Sequence, residues 1–142
     1  MIKYIYSAHN IQPKQLKGFC IDWHYQISRK THLELLLKSD EIVLAIDSET
    51  DKVVGFITAI TDKVISAYIP LLEVLPDYRN KGIGSKLMRL MLERLQQFYM
   101  VDLCDAKLQS FYEKLEMQKV TGMCIRNYDA IGGIVDRASF NQ

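Results

Sequence analysis

Residues 72–87 read Leu-Glu-Val-Leu-Pro-Asp-Tyr-Arg-Asn-Lys-Gly-Ile-Gly-Ser-Lys-Leu, and this stretch decides the fold. An apolar run stops at Pro76, a basic turn follows over residues 79–84, and a helical pattern begins directly after it. Such a turn gathers backbone N–H groups and the positive end of a helix dipole around one point, which suits a phosphate group. Arg79 and Lys81 add side-chain charge to the same place. The stretch therefore predicts a site for a phosphorylated small molecule.

Two common nucleotide-binding motifs do not fit this turn. A dinucleotide-binding fingerprint needs a third glycine at position 87, where Leu87 stands, and a Walker A loop needs Gly-Lys-Ser/Thr, where the chain has Gly-Ser-Lys. A glycine-rich helix start without a ligand remains a second interpretation, because short motifs also arise by chance.

Length and composition predict one soluble globular domain over residues 1–142, with a loosely held tail from about 130. The chain is 49% hydrophobic and 25% charged, and its net charge is +1 without a block of like charge. A main partner of nucleic acid or anionic membrane would favour a pronounced basic patch, so both are disfavoured. We find neither a signal-peptide pattern nor an apolar stretch of membrane-spanning length.

The three cysteines are odd in number and show neither paired nor metal-type spacing. We therefore expect Cys20, Cys104 and Cys124 to be reduced, mostly buried thiols in a cytoplasmic protein, and we expect no metal. His24 and His32 are interpreted as surface or hydrogen-bonded histidines, since no third ligand has suitable spacing.

Apolar periodicity predicts the elements of the chain. Pro13 marks the start of a helix that runs to Ile27, and Thr31 with Glu34 has the pattern of a capping box at a second helix start. The remaining predicted elements are strands at 2–6, 42–46, 53–60 and 64–75, a helix at 82–98, a strand at 100–104, a helix at 109–115 and a strand at 120–128. Pro70 cannot donate to a ladder and marks a bulge or an edge. The crossover through the 82–98 helix predicts that strands 64–75 and 100–104 are parallel.

Two segments together resemble a known family. The strand, basic Arg-Asn-Lys-Gly-Ile-Gly turn and helix resemble the acetyl-CoA-binding segment of the GNAT N-acetyltransferases, whose form is Gln/Arg-x-x-Gly-x-Gly/Ala. The run Phe-Tyr-Glu-Lys-Leu-Glu-Met at 111–117 resembles that family's Leu-Tyr-Glu-Lys-Leu-Gly-Phe segment. The resemblance covers residues 1–128 and implies an α/β fold of three layers. Its central twisted sheet is mixed and mostly antiparallel, and two parallel strands splay apart to leave a cofactor cleft.

The resemblance also implies which residues bind acetyl-CoA. The main chain of Leu72, Glu73 and Val74 would pair with the pantetheine arm and hydrogen-bond the thioester carbonyl. The pyrophosphate would be wrapped by Arg79, Asn80, Lys81, Gly82, Ile83, Gly84 and Ser85. Asp105 stands where many members have an asparagine that contacts the cofactor, and a carboxylate lacks the amide donor of that asparagine.

For catalysis, the resemblance makes Tyr112 the general acid that protonates the departing thiolate. Glu73 is the nearest candidate base, although an equally good interpretation is a strand residue held by an ion pair or a backbone contact. Tyr68 can instead orient a water that serves as the base. Trp23, His24 and Tyr25 border the acceptor site in the family and can shape its pocket, although Trp23 falls on the apolar stripe and is better explained by core packing.

The sequence thus predicts an enzyme that transfers acetyl from acetyl-CoA directly to a primary amine. The acceptor is an unidentified small molecule or peptide, and family habit makes a homodimer plausible. Two other classes stay open: a non-catalytic acyl-CoA-binding sensor or interaction module, and a phosphate-binding α/β protein of another kind.

Overall fold

The computed structural model describes residues 1–21, 26–104 and 108–127. Its strands are β1 (Ile2–Ile5), β2 (Glu41–Asp47), β3 (Lys52–Thr61), β4 (Ser66–Val74) and β5 (Met100–Leu103). Its α-helices are α1 (Arg29–Lys38), α2 (Ile83–Arg94) and α3 (Gln109–Glu113), and short 3₁₀ turns occupy Pro13–Leu16 and Pro76–Tyr78.

The five strands form one sheet in the order β1-β2-β3-β4-β5. The first four pair antiparallel through short turns. The crossover through α2 makes β4 and β5 parallel, with Ser66 opposite Met100 and Ile69 opposite Leu103. The predicted mixed, mostly antiparallel sheet with one parallel pair is confirmed.

Helices cover both faces of this sheet. A side chain at Gly55 of β3 would lie only 3.0 Å from Leu87 and 3.3 Å from Ile83, so α2 packs closely on that face. The next residue, Phe56, points to the opposite face, where its ring centroid is 4.5 Å from that of His32 on α1. The molecule is therefore layered helix, sheet, helix, as predicted, and glycine at position 55 allows the close approach of α2.

Pro70 lies where β4 separates from β5. The β3–β4 register shifts between the Thr58–Leu71 pair and the Ile60–Tyr68 pair, so β4 has an extra residue at this point. Pairing with β5 stops at Ile69. The predicted bulge at Pro70 is confirmed, and the splaying of the two parallel strands begins beside it.

Over its described residues, the helix predicted to start at Pro13 is wrong beyond its first turn. It ends at Leu16, and both Gly18 (φ 99°) and Cys20 (φ 66°) adopt left-handed backbone conformations. The N–H of Cys20 does not donate to a carbonyl four residues earlier but to the carboxylate of Glu73 on β4, at 3.0 Å to each oxygen. The apolar spacing was real, since Leu16, Phe19 and Cys20 are buried, but a turn rather than a helix buries them.

Three helix boundaries also differ from the prediction. The N-cap of α1 is Ser28, whose Oγ accepts a hydrogen bond from the Thr31 N–H at 3.0 Å, so Thr31 lies inside the first turn. Helix α2 ends at Arg94 because Leu95 leaves the helical conformation. Helix α3 ends at Glu113, and the N–H groups of Leu115 and Met117 then both donate to the Tyr112 carbonyl.

The strand predicted at 120–128 is wrong over its described part. Residues 118–127 have no strand or helix assignment, and Val120, Met123 and Ile125 are highly exposed there. Alternating apolar residues do not make a strand without a partner edge. No helix among the described residues is long and apolar enough to cross a bilayer.

The cysteine prediction is only partly right. All three thiols are free, but Cys104 and Cys124 are exposed, and only Cys20 is buried. Cys104 follows the last residue of β5, where the splayed strands open the sheet to solvent.

Candidate active site

The basic turn forms a cradle of main-chain groups. Asn80 (φ 62°) and Gly82 (φ 84°) are both left-handed, which turns the chain sharply into α2. The first intrahelical bond runs from the Lys86 N–H to the Gly82 carbonyl at 3.0 Å, and the structure shows no side-chain cap on Gly82 and no acidic residue in the first turn of α2 among the described residues. The N–H groups of Ile83, Gly84 and Ser85 therefore point out at the positive end of the helix. This geometry suits an anion.

The cradle is tied to the sheet through Tyr78. Its hydroxyl donates a 2.7 Å hydrogen bond to Oδ2 of Asp47, the last residue of β2. That bond lowers the pKa of Asp47 and raises the pKa of Tyr78. The Lys81 Nζ lies 5.5 Å from the centroid of the Tyr78 ring, a cation–π contact. The position of the turn is thus fixed by a residue 31 positions earlier in the chain.

Beyond Ile69, the main chain of β4 on the side of the splay does not pair with the described residues of β5. Leu75 donates its N–H to Val54 on β3 at 2.9 Å, so its main chain points toward β3. Because successive strand residues direct their N–H and C=O groups to opposite edges, Leu72 and Val74 direct theirs toward the splay. The Val74 carbonyl already accepts a 2.8 Å hydrogen bond from the Arg79 Nε. Alternation directs the main chain of Glu73 toward β3.

The splay opens a cleft of about 190 Å³ between β4 and β5. It is lined by apolar residues, among them Leu71 and Leu72 from β4 and Leu103 from β5, and polar atoms also face it. Tyr112 of α3 is in the wall of the same cleft and is 7% exposed, with the Phe111 ring edge-on at 5.1 Å. The structure therefore brings Tyr112 and the open edge of β4 to one cavity.

Tyr68 lies on β4 before the bulge, opposite Asp102 of β5. Burial raises the pKa of its phenol, and the neighbouring Cys104 thiol raises it further, while Arg126 lowers it. Cys104 itself lines the cleft. The Tyr68 phenol therefore lies near Cys104, at the end of β5, and near Arg126 of the last described segment.

The Glu73 carboxylate contacts the segment that lines a second cavity. It accepts the Cys20 N–H at 3.0 Å to each oxygen, and Cys20 lines this cavity of about 230 Å³. Burial raises the pKa of Cys20 to about 12, and the adjacent Glu73 charge contributes. The backbone contact considered for Glu73 from sequence is present.

His32 was missed by the sequence analysis. It was interpreted as a surface or hydrogen-bonded histidine, but it is 2% exposed, and its Nε2 is buried without a hydrogen-bond partner in the described structure. It lies against the rings of Phe19 and Phe56, and burial lowers its pKa to about 4. Gly18, which weakens the predicted helix, lines the same cavity as this histidine.

The structure groups the remaining candidates as follows. The residues of the turn, 79–85, lie together at the start of α2, and Leu72 to Val74 end the strand that leads into it. Asp105, Trp23, His24 and Tyr25 lie outside the described residues, as does the predicted tail.

Comparison with known proteins agrees with this geometry. The sequence profile described as the acetyltransferase (GNAT) family matches residues 5–117. A curated relative, the uncharacterised N-acetyltransferase ycf52 of Pyropia yezoensis, is 26% identical over 79% of this chain and 68% of its own length.

Solved structures give the same result. A crystal structure of a protein named as an acetyltransferase from Deinococcus radiodurans R1 is 37% identical, with a TM-score of 0.87 over 95% of this chain and 94% of that one. A GNAT family acetyltransferase of Streptococcus pneumoniae TIGR4 is 28% identical, with a TM-score of 0.70 over 89% of this chain and 98% of that one.

Proposed function

Because the chain belongs to the GNAT acetyltransferase family, we propose that it transfers an acetyl group from acetyl-CoA directly to a primary amine. The observation that supports this most is the juxtaposition of three parts: an anion cradle at the start of α2, an open strand edge on β4, and Tyr112 in the wall of the cleft between them. Each part suits a different portion of the donor molecule.

The residues present fit acetyl-CoA. The N–H groups of the first turn of α2, with Lys81, suit the diphosphate. The open edge at Leu72 and Val74 suits an extended amide-containing arm, which can add to it as a further strand. The cleft, which Tyr112 also lines, suits the thioester end.

Acetyl-CoA supplies an activated acetyl group whose carbonyl carbon a neutral amine can attack. The new C–N bond forms as the C–S bond breaks, so a proton must leave the nitrogen and one must reach the sulfur. Main-chain N–H groups at the open edge of β4 stabilise the negative charge on the carbonyl oxygen. The Tyr112 hydroxyl, which shares the cleft, donates the proton to sulfur.

Glu73 is our candidate for removing the proton from the amine. An alkylammonium has a pKa of about 10.4, so at neutral pH it must lose a proton before it attacks. Glu73 follows directly on Leu72, which lines the cleft, and its carboxylate accepts the Cys20 N–H. A water oriented by Tyr68 is the alternative base.

The test of the function is free thiol release from acetyl-CoA in the presence of a broad panel of primary amines. An acetyltransferase releases thiol only when an acceptor is present, and mass spectrometry then finds a product heavier by one acetyl group. A non-catalytic acyl-CoA-binding module binds acetyl-CoA in calorimetry but consumes none. A phosphate-binding protein of another kind shows no preference for CoA over simple nucleotides.

Tyr112→Phe tests the acid. The variant keeps the ring that packs on Phe111 but lacks the proton donor, so we expect kcat to fall by about 100-fold while the Kd for CoA stays within about twofold. Tyr99→Phe is the matched control, because Tyr99 is highly exposed. Unchanged kcat across the pH range would remove Tyr112 from the mechanism.

A further inference from the structure

The parts of the proposed donor site follow one another across the sheet. The cleft lies between β4 and β5, and α2 begins over β3, where a side chain at Gly55 would lie 3.3 Å from Ile83, the first residue of the helix. The Tyr78 hydroxyl reaches further, to Asp47 at the end of β2. Because the sheet order is β2-β3-β4-β5, these positions run in one direction away from the cleft.

These positions also lie at one edge of the sheet. Asp47 pairs with Lys52 at the start of β3, and Gly55 pairs with Val74 at the end of β4. Neighbouring strands are about 4.8 Å apart, so the end of β2 lies roughly 10 Å from the end of β4, on the side away from β5. A ligand that begins in the cleft and passes the start of α2 therefore arrives at Tyr78.

Lys81 places a positive charge at this far end of the site. Its Nζ lies 5.5 Å from the centroid of the Tyr78 ring. The hydrogen bond from Tyr78 is the main cause of the lowered pKa of Asp47, and the charge of Lys81 also contributes to it. The lysine side chain is exposed, so it contacts the ring and remains open to a ligand. A cation that already lies over an aromatic ring loses less freedom when it binds an anion.

Three negative charges also surround the Tyr78 hydroxyl. They are the carboxylates of Asp47, Asp77 and Glu49. Since like charges repel, these carboxylates oppose the binding of a phosphate, and Lys81 has to offset them. Loss of this one lysine should therefore weaken the binding of a phosphate here more than the loss of a lysine on a neutral surface would.

Acetyl-CoA has its parts in the same order as the site. Its acetylated arm is joined through a diphosphate to an adenosine that has a further phosphate on its 3′-oxygen. With the thioester in the cleft and the diphosphate at the start of α2, the adenosine end lies on the β2 side, by Tyr78 and Lys81. Resting on the acetyltransferase function proposed above, we infer that Lys81 binds the 3′-phosphate and is the residue that selects CoA over a donor without this group.

Calorimetry with CoA and with dephospho-CoA, on the full-length protein, tests this inference. The two ligands share the arm and the diphosphate and differ only in the 3′-phosphate. Hydrogen bonds between charged partners are the stronger ones, so we expect the wild-type protein to bind CoA about tenfold more tightly than dephospho-CoA. The comparison separates a contact with the 3′-phosphate from a contact with the diphosphate.

Lys81→Gln should remove most of this preference. We expect the ratio of the two Kd values to fall from about tenfold to about twofold, because the variant loses the charge that faces the 3′-phosphate. Lys81→Arg retains the charge and can stack on the Tyr78 ring, so it should keep a preference within about threefold of the wild-type value.

Lys63→Gln is the matched control for the loss of one positive charge. Lys63 is exposed and follows the far end of β3, whose ten residues separate it from Lys52. Such a strand is about 30 Å long, which is well beyond the Debye length of about 10 Å. Both Kd values should therefore stay within about twofold of the wild type.

Tyr78→Phe separates the shape of the turn from the charge of Lys81. The variant keeps the ring beneath Lys81 but loses the hydrogen bond to Asp47. It should weaken the binding of both ligands by the same factor and leave the preference for CoA unchanged. A preference that Tyr78→Phe abolishes would mean that the shape of the turn, and not Lys81, selects the 3′-phosphate.

The outcomes separate this inference from the function on which it rests. Equal affinity of the wild type for the two ligands, or equal weakening of both by Lys81→Gln, overturns the role of Lys81 and leaves acetyl transfer standing, since thiol release measures that function. Preferential binding of CoA that depends on Lys81, without thiol release from acetyl-CoA with any amine, overturns acetyl transfer and leaves the 3′-phosphate contact in place.

Discussion

The two sides of the candidate site are built differently. The donor side, which comprises the β4 edge and residues 76–94, presents main-chain groups: a turn with two left-handed residues, a helix start, and a strand edge. The side on which we place the acceptor, here called the acceptor side, comprises the described residues of 13–21 and 26–38 and presents side chains: a buried histidine, an arginine on a helix start, and aromatic rings.

This difference determines how each side can change. A main-chain site needs glycine and a particular turn, so its sequence is restricted and recognisable wherever the same cofactor is bound. A side-chain site is set by packing and charge, and a few substitutions on the same backbone give another specificity. The donor side therefore has the more recognisable sequence, and we expect the specificity for the acceptor to depend on the acceptor side.

The largest predicted effect is a loss of folding stability at low pH, which we expect to come from His32 on the acceptor side. Its pKa is about 4 in the folded protein, below the usual 6.5 of an unfolded chain, so the unfolded state binds the proton more readily between these values. The free energy of unfolding therefore has its full value above about pH 6.5. It falls by about 3 kcal/mol in total as the pH drops toward 4. Urea unfolding at a series of pH values measures this loss.

His32→Leu should flatten the pH dependence of unfolding over that window, since it replaces the buried imidazole with an apolar side chain. His9→Gln, at an exposed position, is the control and should leave the wild-type slope in place. An unchanged slope in His32→Leu would show that His32 is not the group that titrates, and that the acceptor side is not the pH-sensitive side.

A smaller effect is expected from the glycines of the cradle. Gly82 has φ 84°, and a side chain there would meet nothing within 4 Å, so Gly82→Ala costs backbone strain alone, about 1 kcal/mol of stability. It should also weaken CoA binding, because the turn would relax away from its present shape. Urea unfolding and calorimetry measure the two quantities.

Gly84→Ala is the matched control. Its added carbon would lie 3.7 Å from Val74 Cγ2, an ordinary contact, and its backbone is helical. We expect a change in stability below about 0.5 kcal/mol, because alanine favours a helix. Equal effects of the two substitutions would contradict the view that backbone conformation is what the donor side requires.

The smallest effect is expected from Tyr78→Phe. The variant loses the 2.7 Å hydrogen bond to Asp47 but keeps the ring beneath Lys81, so the cradle should be held less firmly. We expect the Kd for CoA to rise by about threefold, with kcat unchanged. Calorimetry measures the Kd, and Tyr99→Phe is the control. A fall in kcat together with the affinity would contradict the prediction, because it would mean that Tyr78 takes part in the reaction itself.

The sequence predicted the central sheet well because its strands are long apolar runs separated by polar turns. The parallel pairing of β5 with β4 followed from the crossover, and the bulge followed from Pro70.

The helix predicted at 13–27 failed over its described part because the same three- and four-residue spacing also arises in a turn that packs on a sheet. Glu73, 53 residues away, accepts the Cys20 N–H that a helix would have used. The strand predicted at 120–128 failed over its described part because a strand needs a neighbouring edge, which periodicity does not reveal.

What the sequence determined by itself was the donor side, since a glycine turn before an amphipathic helix is local chemistry that a few consecutive residues specify. Only the tertiary structure decided the acceptor side. His32, Cys20, Arg29 and Glu73 come from separate segments, and their meeting depends on how α1 and the preceding turn pack against β3 and β4. Contacts between distant residues are set by the packing of whole elements, and no local pattern encodes them.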